Sequence, residues 1–153
     1  MIQWLENPAV IRYLNEEPQI ISSLQQLQAS VPAPLLTYHF NRMGHFSLIC
    51  RGDESIGFVK LRELHKRGVY EIVYAIGDET LWGRGYGESA LRAALSMAFL
   101  ERRAQSIIAK IHPENSRSVR TARACGFQRY SADTALHLYG LTMSDYLRQF
   151  HSH

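Results

Sequence analysis

Cysteine is scarce in this chain. Cys50 and Cys125 are the two in 153 residues, too few for a disulfide framework or a thiolate zinc site. A reducing, cytoplasmic setting is therefore the default expectation, with both thiols read as small buried hydrophobes. Long apolar runs are missing too: no stretch approaches the roughly 18 consecutive apolar residues of a membrane span. The opening Met1-Ile2-Gln3-Trp4-Leu5-Glu6 has neither the basic start nor the apolar centre of a secretory leader. Repeats, linkers and low-complexity tracts are absent, and the length suits one domain, so residues 1–153 read as a single compact unit. At 46% hydrophobic and 20% charged residues, the chain can bury a core and lacks a disordered composition.

Acidic residues are scarce in one third of the chain. Residues 81–130 hold nine Arg and Lys against Glu88, Glu101 and Glu114, whereas the remainder holds eight basic and eleven acidic residues. The total of +3 thus hides one cationic segment in a mildly acidic protein. Such a segment suits one anionic partner meeting one surface; a solvated arginine face is the bland alternative.

Turn and periodicity signals give the order of elements. Asn7-Pro8 suits a helix start running to Leu14, and Pro18 opens a second helix with Ile20, Ile21, Leu24 and Leu27 on one face, ended by Val31-Pro32-Ala33-Pro34. Strand-like alternation follows at Leu36–Phe40, Phe46–Cys50, Ile56–Leu61 and Val69–Ile76, with turns at 41–44, 51–54 and 65–68. From Gly87 to about Arg103 an apolar stripe of Ala90, Leu91, Ala94, Leu95, Ala98 and Phe99 predicts a helix. Ser106–Ile111 predicts a central strand covered on both faces. Asn115 or Ser116 caps a helix ending at Cys125, with Gly126 as its left-handed stop and Phe127 as the hydrophobic contact. Strands at 128–131 and 135–141 and a helix from Ser144 close the chain. The fold class is α/β (α+β), with a mixed, mostly antiparallel sheet and helices on both faces.

Between the strand ending at Ile76 and the long helix lies Leu81-Trp82-Gly83-Arg84-Gly85-Tyr86-Gly87-Glu88. Alternate glycines let the backbone approach a ligand and aim successive N–H groups one way, and the helix start adds positive potential, which suits a phosphate or pyrophosphate. A flexible tight turn is the plain alternative. A dinucleotide-binding turn fits poorly. Asp78–Leu81 separates the loop from its strand, the spacing is Gly-x-Gly-x-Gly, and no acid follows the next strand at Lys110-Ile111 to hold a ribose.

Ile76-Gly77-Asp78 followed by Trp82-Gly83-Arg84-Gly85-Tyr86-Gly87 and Ala90-Leu91 closely resembles the acetyl-CoA loop of the GNAT superfamily of N-acetyltransferases. The flavour is that of the branch with the ribosomal-protein N-terminal and polyamine acetyltransferases. Asn115-x-x-Ser118, then Ala124-Cys125-Gly126-Phe127, matches a second family motif at the expected separation. The similarity runs from about residue 46 to 141. It implies a single-domain GNAT-like fold with splayed central strands, acetyl-CoA as co-substrate and CoA as product. By this resemblance Tyr74, Ala75, Ile76 and Gly77 pair with the pantetheine arm like an added strand. The loop residues Trp82, Gly83, Arg84, Gly85, Tyr86, Gly87 and Glu88 hold the pyrophosphate, chiefly through N–H groups from Arg84 to Glu88. Asn115 and Ser118 lie near the pantetheine and thiol. Arg117, Arg120 and Arg123 are candidates for the outer phosphates, with Arg120 counted among the cofactor-binding residues; a solvated helix face explains them equally well. No metal is implied.

Amine acetylation requires that an ammonium of pKa about 10 lose a proton, that an oxyanion be stabilised and that a thiolate of pKa about 8.5 be protonated. The resemblance points to Glu71 as the base, acting through water; an edge glutamate facing solvent is the alternative. Many relatives carry a tyrosine acid four residues before the glycine of Gly-Phe, and here that position is Ala122. Ser118 is the replacement candidate, with Tyr74 and Tyr139 behind it and His112 read as a turn residue. The usual first strand is also missing from the start of the chain, and Leu36–Phe40 is the candidate to fill its place. The expected activity is acetyl transfer to a primary amine by direct attack in a ternary complex, the acceptor being a small molecule or a peptide N-terminus. Nucleic acid and membrane are not expected partners, and a homodimer stays open. Two other functions remain in view: a non-catalytic acyl-CoA-binding or sensing domain, and an acetyltransferase acting on an RNA-borne amine.

Overall fold

The computed structural model describes Pro8 and residues 45–132 and 135–151. The expected helices at 8–14 and 18–27 and the strand at 36–40 lie outside the described residues, save that Pro8 is helical. Alternating apolar residues build β1 (His45–Arg51), β2 (Glu54–Glu63) and β3 (Val69–Ile76), an antiparallel meander closed by tight turns. A short 3₁₀ turn at Glu79–Leu81 leads to α1 (Tyr86–Ser96), whose last stretch, Met97–Glu101, widens to a π-helical turn before β4 (Ser106–Ile111). Then come α2 (Ser116–Ala124), β5 (Gln128–Ala132), β6 (His137–Thr142) and α3 (Met143–His151).

The six strands form one sheet in the order β1-β2-β3-β4-β6-β5. All neighbours are antiparallel except β3 and β4, which run parallel because α1 crosses between them. Their pairing is short: Val69, Tyr70 and Glu71 face Ser106, Ile107 and Ile108, and beyond Glu71 the two strands share no ladder. The sheet therefore splits at its middle.

Val59, Leu61, Ile72, Ile107, Ala109, Tyr139 and Leu141 share one face and pack against Leu91, Leu95 and Phe99 of α1 and its π turn, Ala122 and Cys125 of α2, and Tyr146 of α3. Each large apolar side chain removed from water there contributes about 1.5–3 kcal/mol. Phe99 stacks on Tyr146 with ring centroids 4.7 Å apart, which seats α3 on the same layer. All three described helices thus cover one face, and among the described residues no helix covers the other. On that second face Phe46 and Phe58 stack and are buried.

Two expectations need correction: Cys50, read as a buried hydrophobe, is exposed on β1, and the strand at 106–111 is not covered equally on its two faces. Ser106–Ile111 is central in the sheet, but its burial alternates. Ile107, Ala109 and Ile111 enter the core, whereas Ser106, Ile108 and Lys110 point to the second face and are half-buried. The apolar run hides a two-faced strand. The end of α2 matches its reading closely: Gly126 (φ 97) donates to Arg123 O and Phe127 donates to Ala122 O, the paired bonds of a Schellman stop, with Phe127 buried.

Candidate active site

Where β3 and β4 part, a cleft of about 380 Å³ opens, walled by β3, the glycine loop, the start of α1, the end of β4 and one face of α2. Its backbone wall follows from strand alternation. Gly77 N–H donates to Ile56 O on β2, so Ile72, Tyr74 and Ile76 turn their N–H and C=O groups the other way, toward β4 and then, past Ile72, into the gap. The Trp82 indole N–H takes Ile76 O at 2.9 Å. Ile72 still faces Ile108 at the last rung of the β3–β4 ladder, and past it the N–H and C=O of Tyr74 face a space with no partner strand.

The glycine loop forms the outer end. Gly83 and Gly85 have φ of 74° and 87°, a region other residues enter with strain. Gly85 is the N-cap of α1 and offers no side-chain acceptor, so the first N–H groups of the helix are left for a ligand. Glu88 in that first turn would oppose an anion, but Arg92 pairs with it at 2.9 Å and also donates to Ala124 O, joining α1 to α2. Before the loop, Asp78 Oδ1 accepts from Thr80 N–H and hydroxyl, bonds that hold its carboxyl below the usual range. Arg117 of α2 lies over the Trp82 ring, 3.5 Å from its centroid.

On the α2 wall, Asn115 is buried and its Oδ1 accepts the Ser118 N–H at 3.3 Å, which fixes the helix start. Ser118 and Thr121 face the cleft one turn apart, opposite Tyr74. The Tyr74 hydroxyl is buried and makes no well-formed hydrogen bond. Burial pushes its pKa up, with the neighbouring Ser118 and Thr121 hydroxyls pulling the other way. An orphaned buried hydroxyl in an open cleft marks a place for a polar ligand atom.

Glu71 lies at the fork itself, on the second face of the sheet. It is 5% exposed. Its Oε2 meets Arg62 at 2.7 Å and Lys110 Nζ at 3.5 Å, so one oxygen serves both ion pairs. The alternative of a glutamate facing solvent on a sheet edge does not hold. Glu71 does not itself line the cleft, although Lys110 and Ile72 beside it do.

Of the residues expected to hold the cofactor, Tyr74, Ala75, Ile76, Trp82, Gly83, Gly85, Tyr86, Gly87, Glu88, Asn115, Ser118 and Arg120 line the one cleft. Gly77 is committed to β2, and the Arg84 side chain is exposed at the loop tip outside the lining. Arg123 is exposed outside it too. Ala122 is buried in the α2 wall without a hydroxyl, Tyr139 is in the core, and His112 Nδ1 accepts from Glu114 N–H in the turn before α2. Lys110 and Thr121 were not singled out from sequence. The signal for Thr121 was its one-turn spacing from Ser118.

A cleft between parted parallel strands, ending at an uncapped helix start, suits the pantetheine and pyrophosphate of coenzyme A. The family model for the acetyltransferase (GNAT) domain matches residues 1–128. An uncharacterized N-acetyltransferase, p20, of Bacillus licheniformis is 27% identical over 132 residues, covering 84% of this chain and 72% of its own. The fold is similar to aminoglycoside acetyltransferase AAC(6')-Ib in complex with coenzyme A, at TM-score 0.76 and 18% identity over 97% of this chain and 91% of that one. It is also similar to Mycobacterium smegmatis RimJ in complex with CoA-disulfide, at TM-score 0.61 and 20% identity over 88% and 67%. With the family model spanning most of its length, the chain belongs to the GNAT family and is an acetyl-CoA-dependent N-acetyltransferase.

Proposed function

We propose that the protein acetylates a primary amine, on a small molecule or a peptide N-terminus, by direct attack on acetyl-CoA within a ternary complex. The observation that carries this reading is the end of β3–β4 pairing at Glu71 and Ile108. It opens an edge for the pantetheine amides on one side and leaves a buried carboxylate at the fork on the other. The α1 start receives the pyrophosphate, and Arg120 at the cleft mouth faces the outer phosphate. Peptide N–H groups of β3 turned into the gap take the thioester oxygen as charge develops on it. Glu71 accepts the ammonium proton directly or through water, and a hydroxyl of the Tyr74–Ser118–Thr121 group gives a proton to the departing sulfur.

The test is release of free CoA thiol from acetyl-CoA across a panel of amino acids, dipeptides, polyamines and aminoglycosides. Acetyl-CoA should also raise the melting temperature, by the equivalent of about 2.7 kcal/mol at 100 times its dissociation constant. Gly85→Val, strained at φ 87°, should lose that shift while keeping the fold. Binding of acetyl-CoA without turnover on any amine of the panel would overturn these acceptor classes.

A further inference from the structure

Lysine is rare here. The chain has Lys60, Lys66 and Lys110 against fourteen arginines. Among the described residues lining the cleft, Lys110 is the one that carries a primary amine; Arg117 and Arg120 present guanidinium groups, which are not nucleophiles at neutral pH. Lys110 stands on β4 two residues past Ile108, the last residue paired with β3, so its side chain leaves the sheet at the fork. Its Nζ is 3.5 Å from Glu71 Oε2, and its side chain is 38% exposed. An amine beside the carboxylate, on the edge of the acyl cleft and open to solvent, is what an incoming acceptor must become.

We propose that Lys110 is an acetyl acceptor of its own active site, modified in cis by bound acetyl-CoA. The inference rests on the acetyl-transfer reading above. The Lys110 ammonium gives a proton to Glu71 or to water, and its lone pair attacks the acetyl carbonyl carbon. A C–N bond forms and the C–S bond breaks. The sulfur takes up a proton and leaves as the CoA thiol, and the second amine proton passes to solvent. The product is Nε-acetyl-Lys110, uncharged and no longer paired with Glu71, which keeps Arg62.

Lys66, exposed in the turn between β2 and β3, reports background chemical acetylation in the same sample. The full chain is incubated with acetyl-CoA, digested with trypsin and followed by mass spectrometry. Acetylation blocks cleavage after Lys110, so the peptide Ala104–Arg117 appears uncut and heavier by one acetyl group. Lys110 should react at least roughly tenfold faster than Lys66, because the cleft holds donor and amine together. The rate constant should not depend on protein concentration. Excess coenzyme A should bring Lys110 down to the Lys66 rate, and so should Gly85→Val. Lys110→Arg should abolish the modified peptide and keep the thermal shift with acetyl-CoA. Lys110 reacting no faster than Lys66 while acetyl-CoA still raises the melting temperature overturns the inference and leaves the proposed function standing. A rate that climbs with protein concentration overturns modification in cis. Loss of both the shift and the selectivity overturns the cofactor reading together with this one.

Discussion

The Arg117 guanidinium carbon sits 3.5 Å from the centroid of the Trp82 ring, and the same indole donates to Ile76 O at 2.9 Å. Trp82 thereby ties the end of β3 to the glycine loop and offers its face to α2. Three walls of the cleft meet at one side chain. Stacking of this kind contributes about 0.5–1 kcal/mol where water reaches it, little for folding but enough to set the position of a loop whose glycines permit several. Arg117→Ala should therefore raise the KM for acetyl-CoA by roughly 2–5-fold with a small change in kcat, the arithmetic of about 0.5–1 kcal/mol. Trp82→Ala should do more, since it also releases Ile76 O. Steady-state kinetics with saturating acceptor measure both. An unchanged KM in either variant would show that the clamp has no part in cofactor binding.

Glu71→Gln keeps the shape and one acceptor for Arg62 but removes the proposed base. Turnover should fall on the order of 10²-fold or more with acetyl-CoA affinity nearly unchanged. The pH–rate profile of the variant should lose its acidic limb. The second-face location makes a further distinction available, because Glu71 lies beside the cleft lining and not in it. A variant that loses acetyl-CoA binding as much as turnover would mean that Glu71 holds the fork together through Arg62 and Lys110 and does no proton transfer.

The glycine loop and the α2 caps could be read from sequence because their physics is local. A positive φ at Gly85 and Gly126, and the reach of Asn115 to the Ser118 N–H, are decided within a few residues. What surrounds Glu71 could not be read that way. Its partners come from Arg62 across a hairpin and from Lys110 on the far side of a crossover, and only the register of three strands brings them together. The same holds for β4. Its isoleucines look uniformly apolar, but the pairing sends Ile107 into the core and Ile108 to the other face. The π turn at Met97–Glu101 had no signal in the helical stripe.

Cys125 lies in the core at the end of α2, and burial pushes its thiol up to about 11. Cys50 is exposed. Iodoacetamide at neutral pH should modify Cys50 in the native protein and both thiols once the chain is unfolded, as peptide mass mapping will show. The raised value also fixes a sign. Below its ordinary 9.0 the thiol is neutral folded and unfolded, but between there and about 11 only the unfolded chain ionises it. Stability should fall as pH rises through that window, and Cys125→Ala should flatten the fall. An equal slope in that variant would assign the alkaline loss to other groups.

Tyr74 and Ser118 are the two hydroxyls proposed to share the role that a tyrosine at position 122 would fill. The Tyr74 hydroxyl is buried without a well-formed partner, and burial holds its pKa above that of an exposed phenol, so it keeps its proton at neutral pH and can donate. The Ser118 hydroxyl is a far weaker acid, but it sits in the first turn of α2, where the helix end favours developing negative charge. An unsatisfied buried hydroxyl costs about 1–3 kcal/mol, so Tyr74→Phe should leave the unliganded protein as stable as before or more so. If Tyr74 protonates the thiolate, the same change should lower turnover on the order of tenfold or more. A gain in melting temperature with a loss in turnover is a combination that a packing role does not produce. Ser118→Ala supplies the contrast: an acid at Ser118 would lower kcat more than it raises the KM for acetyl-CoA. Either effect should shrink with an activated acyl donor whose leaving group needs no proton. Equal losses with both donors would leave Tyr74 and Ser118 as groups that position the cofactor, and the sulfur would then take its proton from water.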